Sequence, residues 1–341
     1  MGSSITWGGS PTHREGVLAR VETHFVKCTK TEPRRDGRCG SPVFGAIERL
    51  LYAIEGRSTL MPPDGLSEAV GTISGKKLKG LLREVASKYP PALHDYAFAD
   101  LKRTAFHISF IQQRMGQPTS LCDVGGSHSL FPAACAALGM RVVVIDIYDY
   151  MSQARLEVFK NVFAPYCVQV VKCDCVAESI EFPENTFDVV TSFDSIEHWH
   201  GSPKPALHAL KRALRPGGLL FIGVPNCVNL RKRLTVPFGY GRWCSIQDWY
   251  EAPTFRSHVH EPDVGELVYI ARDLDLCDVA IYGRNWLGHN NHRAIVRAGT
   301  FLVDHLMRVR PSLCSDIYLA GRKKGSFGSR INDDTLPPLA P

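Results

Sequence analysis

No stretch of this 341-residue chain approaches the ~18–20 consecutive apolar residues of a membrane span, which excludes an ordinary transmembrane helix. The first residues are polar and lack the apolar stretch of a secretory signal, so a cytoplasmic protein is expected. The start MGSSIT matches the short myristoylation pattern, and equally an artificial leader. Paired zinc ligands are also missing. Cys173-x-Cys175 and His289-x-x-His292 each want a second pair, and His13, His24, Cys28 and Cys39 are irregularly spaced, so no metal is expected. Eleven cysteines without a secretory signal read as free thiols in a reducing compartment, several of them (Cys122, Cys135, Cys173) on core elements. There is no concentrated charge either. The net +6 is spread over short basic runs at Arg34-Arg35, Arg231–Arg233 and Arg322–Lys324, which read as solvated surface, so nucleic acid is not an expected partner. Finally, the phosphate-cradling pattern G-x-G-x-x-G is incomplete. The frame at Gly125 reads Gly-Gly-Ser-His-Ser-Leu, without two of its three glycines.

What is present is an ordinary globular composition, 44% hydrophobic and 22% charged, long enough for one substantial core with additions or two small domains. The most informative stretch runs from Thr119 to Asp149. It reads as strand, small-residue turn, helix and a second strand ending in an acid, the order that builds a pocket for an adenine nucleoside. Asp146 follows Gly125 by about 20 residues, the separation of a ribose-binding acid. Asp123 sits immediately before the turn, where its charge repels a pyrophosphate but attracts a cation. S-adenosylmethionine carries a sulfonium and an ammonium and no phosphate, so the turn suits it better than NAD.

From these residues the chain resembles the class I S-adenosylmethionine-dependent methyltransferases, well over Thr119–Asn226 and weakly over Pro262–Lys324. Asp123-Val124-Gly125-Gly126-Ser127-His128-Ser129 stands where the family has D-x-G-x-G-x-G, with Ser127 and Ser129 in place of its second and third glycines. Val142–Asp146 and Val168–Asp174 resemble the next two strands, each ending in an acid. Phe182–Asp188, Ser192–Trp199 with its Glu197-His198, and the Pro216-Gly217-Gly218 turn before Leu219–Asn226 follow in the family's order. The resemblance implies a Rossmann-like α/β fold with a seven-stranded sheet, helices on both faces and an antiparallel last strand. It also implies cofactor contacts from Asp123, Gly125, Gly126, Ser127, Asp146, Ile147, Asp174, Cys175 and Phe193, with Asp174 meeting the adenine amino group.

Four segments are expected. Residues 1–41 form a flexible N-terminal segment, and 42–117 a helical cap region with helices over Val43–Ile54, Lys76–Tyr89 and Tyr96–Met115. These helices either cover the sheet or form part of a lid. Residues 118–325 form the methyltransferase domain, with an insertion at about 227–261, and 326–341 a disordered tail. Within the domain, strand–helix alternation argues for a parallel sheet. Pro262–Leu274 and Ala294–Val309 read as helices, Cys277–Trp286 and Ile317–Arg322 as strands. The insertion is rich in aromatic and basic residues and follows the fifth strand at the sheet's carboxyl edge, where open α/β sheets bind ligands.

Methyl transfer from a sulfonium asks the protein mainly to align donor and acceptor and exclude water, with a base only where the acceptor must lose a proton. Candidate bases are His198, His258 and His260, with His200 and Glu261 beside them. His198 either borders the transferred methyl or caps the next helix. His258 and His260 alternate on an extended segment, which turns both to one side. Tyr240, Trp243, Trp249 and Tyr250 either stack on the acceptor or pack the insertion down. The expected reaction is methylation of a small-molecule acceptor, oxygen before nitrogen or carbon. Two alternatives are a degenerate fold serving as a binding protein, suggested by Ser127 and Ser129, and a nucleic-acid or protein methyltransferase. Against part of the second, the chain lacks the Asn/Asp-Pro-Pro-aromatic signature of many amino-group nucleic-acid methyltransferases.

Overall fold

A computed structural model describes residues 27–30, 75–148, 152–241 and 244–325. Seven strands form one sheet: β1 (Ser120–Val124), β2 (Arg141–Asp146), β3 (Gln169–Lys172), β4 (Phe187–Phe193), β5 (Leu214–Pro225), β6 (Leu276–Arg284) and β7 (Asp316–Lys323). Their spatial order is β3-β2-β1-β4-β5-β7-β6. Strand β7 runs antiparallel to both neighbours, and the other pairings are parallel. This is the Rossmann-like seven-stranded sheet with an antiparallel last strand that the sequence leads one to expect. Lys27–Lys30 and Glu178–Glu181 form a separate antiparallel ribbon.

Ten helices among the described residues surround the sheet: α1 (Gly75–Ser87), α2 (His94–Ala99), α3 (Leu101–Met115), α4 (Leu130–Ala137), α5 (Gln153–Val158), α6 (Lys204–Ala213), α7 (Leu230–Thr235), α8 (Val264–Asp273), α9 (Trp286–His289) and α10 (Ala294–Val309). Strand β1 is buried at all five positions, as a central strand covered on both faces must be. Its alternation assigns the two faces. Leu121 joins Val144, Phe221 and the α1, α3 and α4 side chains Leu82, Ile108 and Leu130. Cys122 and Val124 join Val143, Ile145 and Ile222, under Leu207 of α6 and Leu267 of α8. The helices before β1 therefore share the cover of one face of the sheet with α4.

Two boundaries differ from the sequence reading. The helix expected over Tyr96–Met115 is split at Asp100. Asp100 stands between the two helices, with its carboxylate accepting from Arg103 Nε at 2.7 Å and Thr104 Oγ1 at 2.9 Å and no side-chain bond to the α3 amides. The helix expected from Pro262 begins at Val264, because Asp263 and Glu266 form a reciprocal capping box. Arg34-Arg35 lies outside the described residues, and in the other two basic runs some side chains turn inward while Arg231 stays exposed. Lys232 is buried and paired with Glu261, Arg322 donates to the carbonyls of Gly217 and Arg114, and Lys323 donates to those of Arg212 and Leu214. They serve intramolecular contacts. Among the described residues no helix is long and apolar enough to cross a membrane, and no disulfide links the cysteines. The expected Val43–Ile54 helix, the N-terminal zinc candidates His13, His24 and Cys39, and the 326–341 tail lie outside the described residues.

Candidate active site

The strand order reverses between β1 and β4, and ligands of open α/β sheets bind in the crevice at such a switch point. A cavity of about 770 Å³ opens there, at the carboxyl ends of β1, β2 and β4. It gathers all the cofactor residues expected from sequence: Asp123, Gly125, Gly126 and Ser127 after β1, Asp146 and Ile147 after β2, Asp174 and Cys175 after β3, and Phe193 at the end of β4.

The turn after β1 needs its two glycines. Gly125 has φ +79°, and a β-carbon there would collide with the side chain of Ser195. A β-carbon on Gly126 would collide with the carboxylate of Asp123. Ser127, in the place of a family glycine, also adopts a left-handed φ of +36°. Its hydroxyl lies 2.9 Å from His128 Nδ1.

Three acids are held in fixed orientations. Asp123 is buried beside its register partner Thr191, whose hydroxyl donates to it at 2.6 Å. Burial, opposed by that hydrogen bond and reinforced by nearby Asp146, pushes its carboxyl up to about 7. Asp146, also buried, accepts from the Ile147 amide at 2.7 Å. Asp174 accepts from the amides of Val176 and Ala177 with one oxygen, both at 3.0 Å, which fixes the turn after β3.

The opposite wall contains residues the sequence reading missed. Tyr96, Asp100, Arg103 and His107 line the cavity from α2 and α3. Their spacing of four, three and four is a helical face, legible in the sequence but masked by the apolar stripe on the other side of the helix. Arg103 joins Asp100 to Asp194, a β4-end residue with φ +48°. His107 is stacked on Phe193 at 3.8 Å and lies 3.1 Å from the Tyr318 hydroxyl. Burial holds its imidazole well below the usual range, and so neutral.

Beyond Phe193 the segment Ile196–His198 forms a single 3₁₀ turn. His198 lines the cavity, and its Nδ1 donates to the Arg256 carbonyl at 2.9 Å. His258 lies outside the lining, with its ring 4.7 Å from that of His198 and its Nδ1 2.8 Å from Glu261. Glu261 is also paired with Lys232. Glu197, not singled out from the sequence, is 1% exposed, and burial pushes its carboxyl up to about 9. The two histidine segments are stitched together through the Glu197 carbonyl, which accepts from the Val259 amide at 2.7 Å.

The alternation expected to turn His258 and His260 to one side brings only His258 to His198. His260 points outward, with 67% of its side chain exposed and Glu266 at 3.2 Å. Tyr240, Trp249 and Tyr250 are exposed and do not line the cavity, and Trp243 lies outside the described residues. The insertion reaches the cavity through Thr254, Phe255 and Arg256. His200 lies in the wall, its ring 5.7 Å from that of Phe255.

Residues 122–222 match the family model described as "Methyltransferase domain", a span that contains the Asp123 turn, Asp146, Asp174 and the Glu197-His198 turn. Residues 122–222 are similar to a methyltransferase domain. The chain is similar to the ubiquinone/menaquinone biosynthesis C-methyltransferases UbiE of Enterobacter sp. (strain 638), 32% identical over 146 residues, and of Salmonella arizonae, 31% identical over 146 residues. Each match covers 42% of this chain and 56% of the relative, so the chain spans about half the length of the curated relatives it matches. Among solved structures it is similar to Haemonchus contortus phosphoethanolamine N-methyltransferase 2 in complex with S-adenosyl-L-methionine. That match has 17% identity and a TM-score of 0.45, and covers 74% of this chain and 61% of the other. A putative sarcosine dimethylglycine methyltransferase from Galdieria sulphuraria has 13% identity and a TM-score of 0.46, with 73% and 98% covered. The cavity thus holds the residues expected to meet the cofactor together with His198, and His258 lies behind His198 outside the lining.

Proposed function

We propose that this chain transfers a methyl group from S-adenosylmethionine to an oxygen of a small-molecule acceptor. The observation that carries this reading is the shared cavity, whose lining holds a glycine turn, three acids and His198. The residues fit the cofactor. Asp146 suits a ribose and Asp174 an adenine edge. Buried Asp123, beside a turn with no room for side chains at Gly125 and Gly126, suits a cationic methionyl group better than a phosphate. When bound, the cofactor supplies an electrophilic methyl on sulfur, and transfer forms a C–O bond as the C–S bond breaks.

The chain's own residues position the acceptor and receive its proton. Tyr96, Arg103 and His107 from the helical region 42–117 close one side, and Phe255 and Arg256 from the insertion close another. The proton of an acceptor hydroxyl leaves toward the cluster at His198, whose imidazole burial holds below its usual range and therefore in the neutral, accepting form. A hydroxyl must lose a proton to end as an ether, whereas an amine can attack as its free base. A basic cluster at the acceptor end therefore favours oxygen. The curated relatives are named as C-methyltransferases.

The decisive test is isothermal titration with S-adenosylhomocysteine, with NAD as control, followed by methyl transfer from labelled cofactor across hydroxyl, amine and carbon acceptors. Binding of the former alone and label on oxygen are expected. Binding with no transfer to any acceptor would favour the binding-protein alternative that Ser127 and Ser129 suggest.

Asp123 adds a pH dependence. Burial keeps a proton on its carboxyl below about 7 in the free protein. An ammonium brought beside it favours the charged form, so binding releases that proton. Affinity for S-adenosylhomocysteine is expected to rise by up to about tenfold per pH unit as pH approaches 7 from below, then to flatten. Titration in buffers of different ionisation enthalpy should show proton release at pH ~6 and none attributable to Asp123 at pH ~8. No difference between the two would remove Asp123 from the cofactor contacts.

A further inference from the structure

We infer that Glu197, His198 and His258 form a binding site for one divalent transition-metal ion at the acceptor end of the cavity. One ligand-capable atom of each residue lies within 4.8 Å of the other two. In a tetrahedral site, bonds of about 2.0–2.2 Å place ligand atoms roughly 3.3–3.6 Å apart, so closure on an ion draws these side chains together by up to roughly 1–1.5 Å.

Two features of the cluster point to a cation. The first is Glu197. Its side chain is buried, and beyond its own backbone amide neither carboxyl oxygen meets a hydrogen-bond partner among the described residues. Buried polar groups are nearly always partnered, and a buried carboxylate above all. Such a group either keeps a proton or faces a cation.

The second feature is the orientation of the two imidazoles. His198 Nδ1 meets the Arg256 carbonyl at 2.9 Å. A carbonyl only accepts, so Nδ1 carries the proton, and the lone pair of the neutral ring lies on Nε2. His258 Nδ1 meets the Glu261 carboxylate at 2.8 Å, which imposes the same tautomer. Lys232, paired with Glu261, keeps that carboxylate ionised and fixed. Metal-binding histidines are oriented in this way, the second nitrogen donating to a carbonyl or carboxylate behind the ring. A protonated Glu197 would need neither arrangement.

Two imidazoles and one carboxylate suit Zn²⁺ or its neighbours in the first transition row rather than Mg²⁺ or Ca²⁺. Three protein ligands leave at least one position for something else. Since His198 belongs to the cavity wall, that position falls to the acceptor. The inference rests on the methyl-transfer reading for this last point and makes it more specific. The acceptor is an oxygen compound able to coordinate, such as a phenol or hydroxy acid with a second oxygen beside the first. With the ion bound, coordination lowers the pKa of the hydroxyl and its proton leaves to water, a route that replaces proton acceptance by His198, whose Nε2 is then a ligand.

The test uses the full chain, stripped with a chelator and titrated with Co²⁺, whose ligand-field absorption reports the site without turnover. One equivalent per chain is expected, displaced by Zn²⁺. Glu197→Gln and His258→Ala remove ligands and should weaken binding by more than the ~10–100-fold typical of losing a residue that only orients a ligand. Glu261→Gln, acting through His258, should fall within that ~10–100-fold range, and His260→Ala should bind as the parent does. Each variant is also titrated with S-adenosylhomocysteine, and unchanged affinity shows that the fold and the cofactor site are intact. No Co²⁺ uptake by the parent, or uptake insensitive to Glu197→Gln and His258→Ala in variants that still bind S-adenosylhomocysteine, overturns the inference. Metal uptake that follows the predicted order in a protein that methylates nothing supports the site while defeating the methyl-transfer reading.

Discussion

A Gly125→Ala variant is expected to be less stable than the parent by roughly 2–5 kcal/mol and to lose at least about tenfold in affinity for S-adenosylhomocysteine. Gly125 follows β1, with its amide donating to the Ile145 carbonyl at 2.8 Å and φ at +79°. A side chain in that conformation costs about 1–2 kcal/mol. The new methyl would also overlap the side chain of Ser195, and overpacking a closed site costs about 1–3 kcal/mol more. Ser195 cannot move freely, because its hydroxyl accepts from Trp199 Nε1 at 3.2 Å and it precedes the turn that carries Glu197 and His198. The strain is therefore shared between the two ends of the cavity. Chemical denaturation and calorimetry together check this. The double variant Gly125→Ala/Ser195→Gly should recover the overpacking part and leave the φ penalty. A single variant that binds and melts as the parent does would show that this turn is not closely packed.

Asp146→Ala is expected to weaken cofactor binding by about 1.5–3 kcal/mol, the worth of a charge-assisted hydrogen bond. In affinity that is about 10–150-fold. The carboxylate is buried at the end of β2 and oriented by the Ile147 amide, so the free protein already holds it in place for a ribose hydroxyl. Removing it has a second consequence. Asp146 raises the Asp123 carboxyl by repulsion, a smaller influence than burial. Without Asp146 the Asp123 proton leaves at lower pH, so the pH at which binding levels off should move downward. Calorimetry at several pH values separates the two effects. Unchanged affinity at pH ~8, where Asp123 is mostly ionised in either protein, would mean that the ribose acid has been misassigned.

The sequence alone was enough for the α/β class and the seven strands, and it named nine residues that the structure gathers around one cavity. Those properties are written in short-range patterns. Continuous apolar runs such as Val142–Ile145 and Leu219–Val224 mark strands buried on both faces, and the Asp123–Gly126 turn follows directly from the residues that make it. Strand order at the switch point then carries Asp123, Asp146 and Asp174 to one crevice, because each ends a neighbouring strand.

The cluster of Glu197, His198 and His258 was decided by the tertiary structure. Glu197 and His258 are about sixty positions apart, and nothing local couples them. They meet because the Glu197 carbonyl takes the Val259 amide and because Lys232, from a run that reads as surface charge, turns inward to hold Glu261 behind His258. The same packing sends His260 outward, although its type and spacing match those of His258. The exposed aromatics of the insertion show the converse. Tyr240, Trp249 and Tyr250 have the composition of a binding surface, while Phe255 and Arg256 have the position. Periodicity and turn chemistry act over a few residues and are legible in order along the chain. Which distant side chains share a buried space is settled only when burial and backbone hydrogen bonding have fixed the path between them.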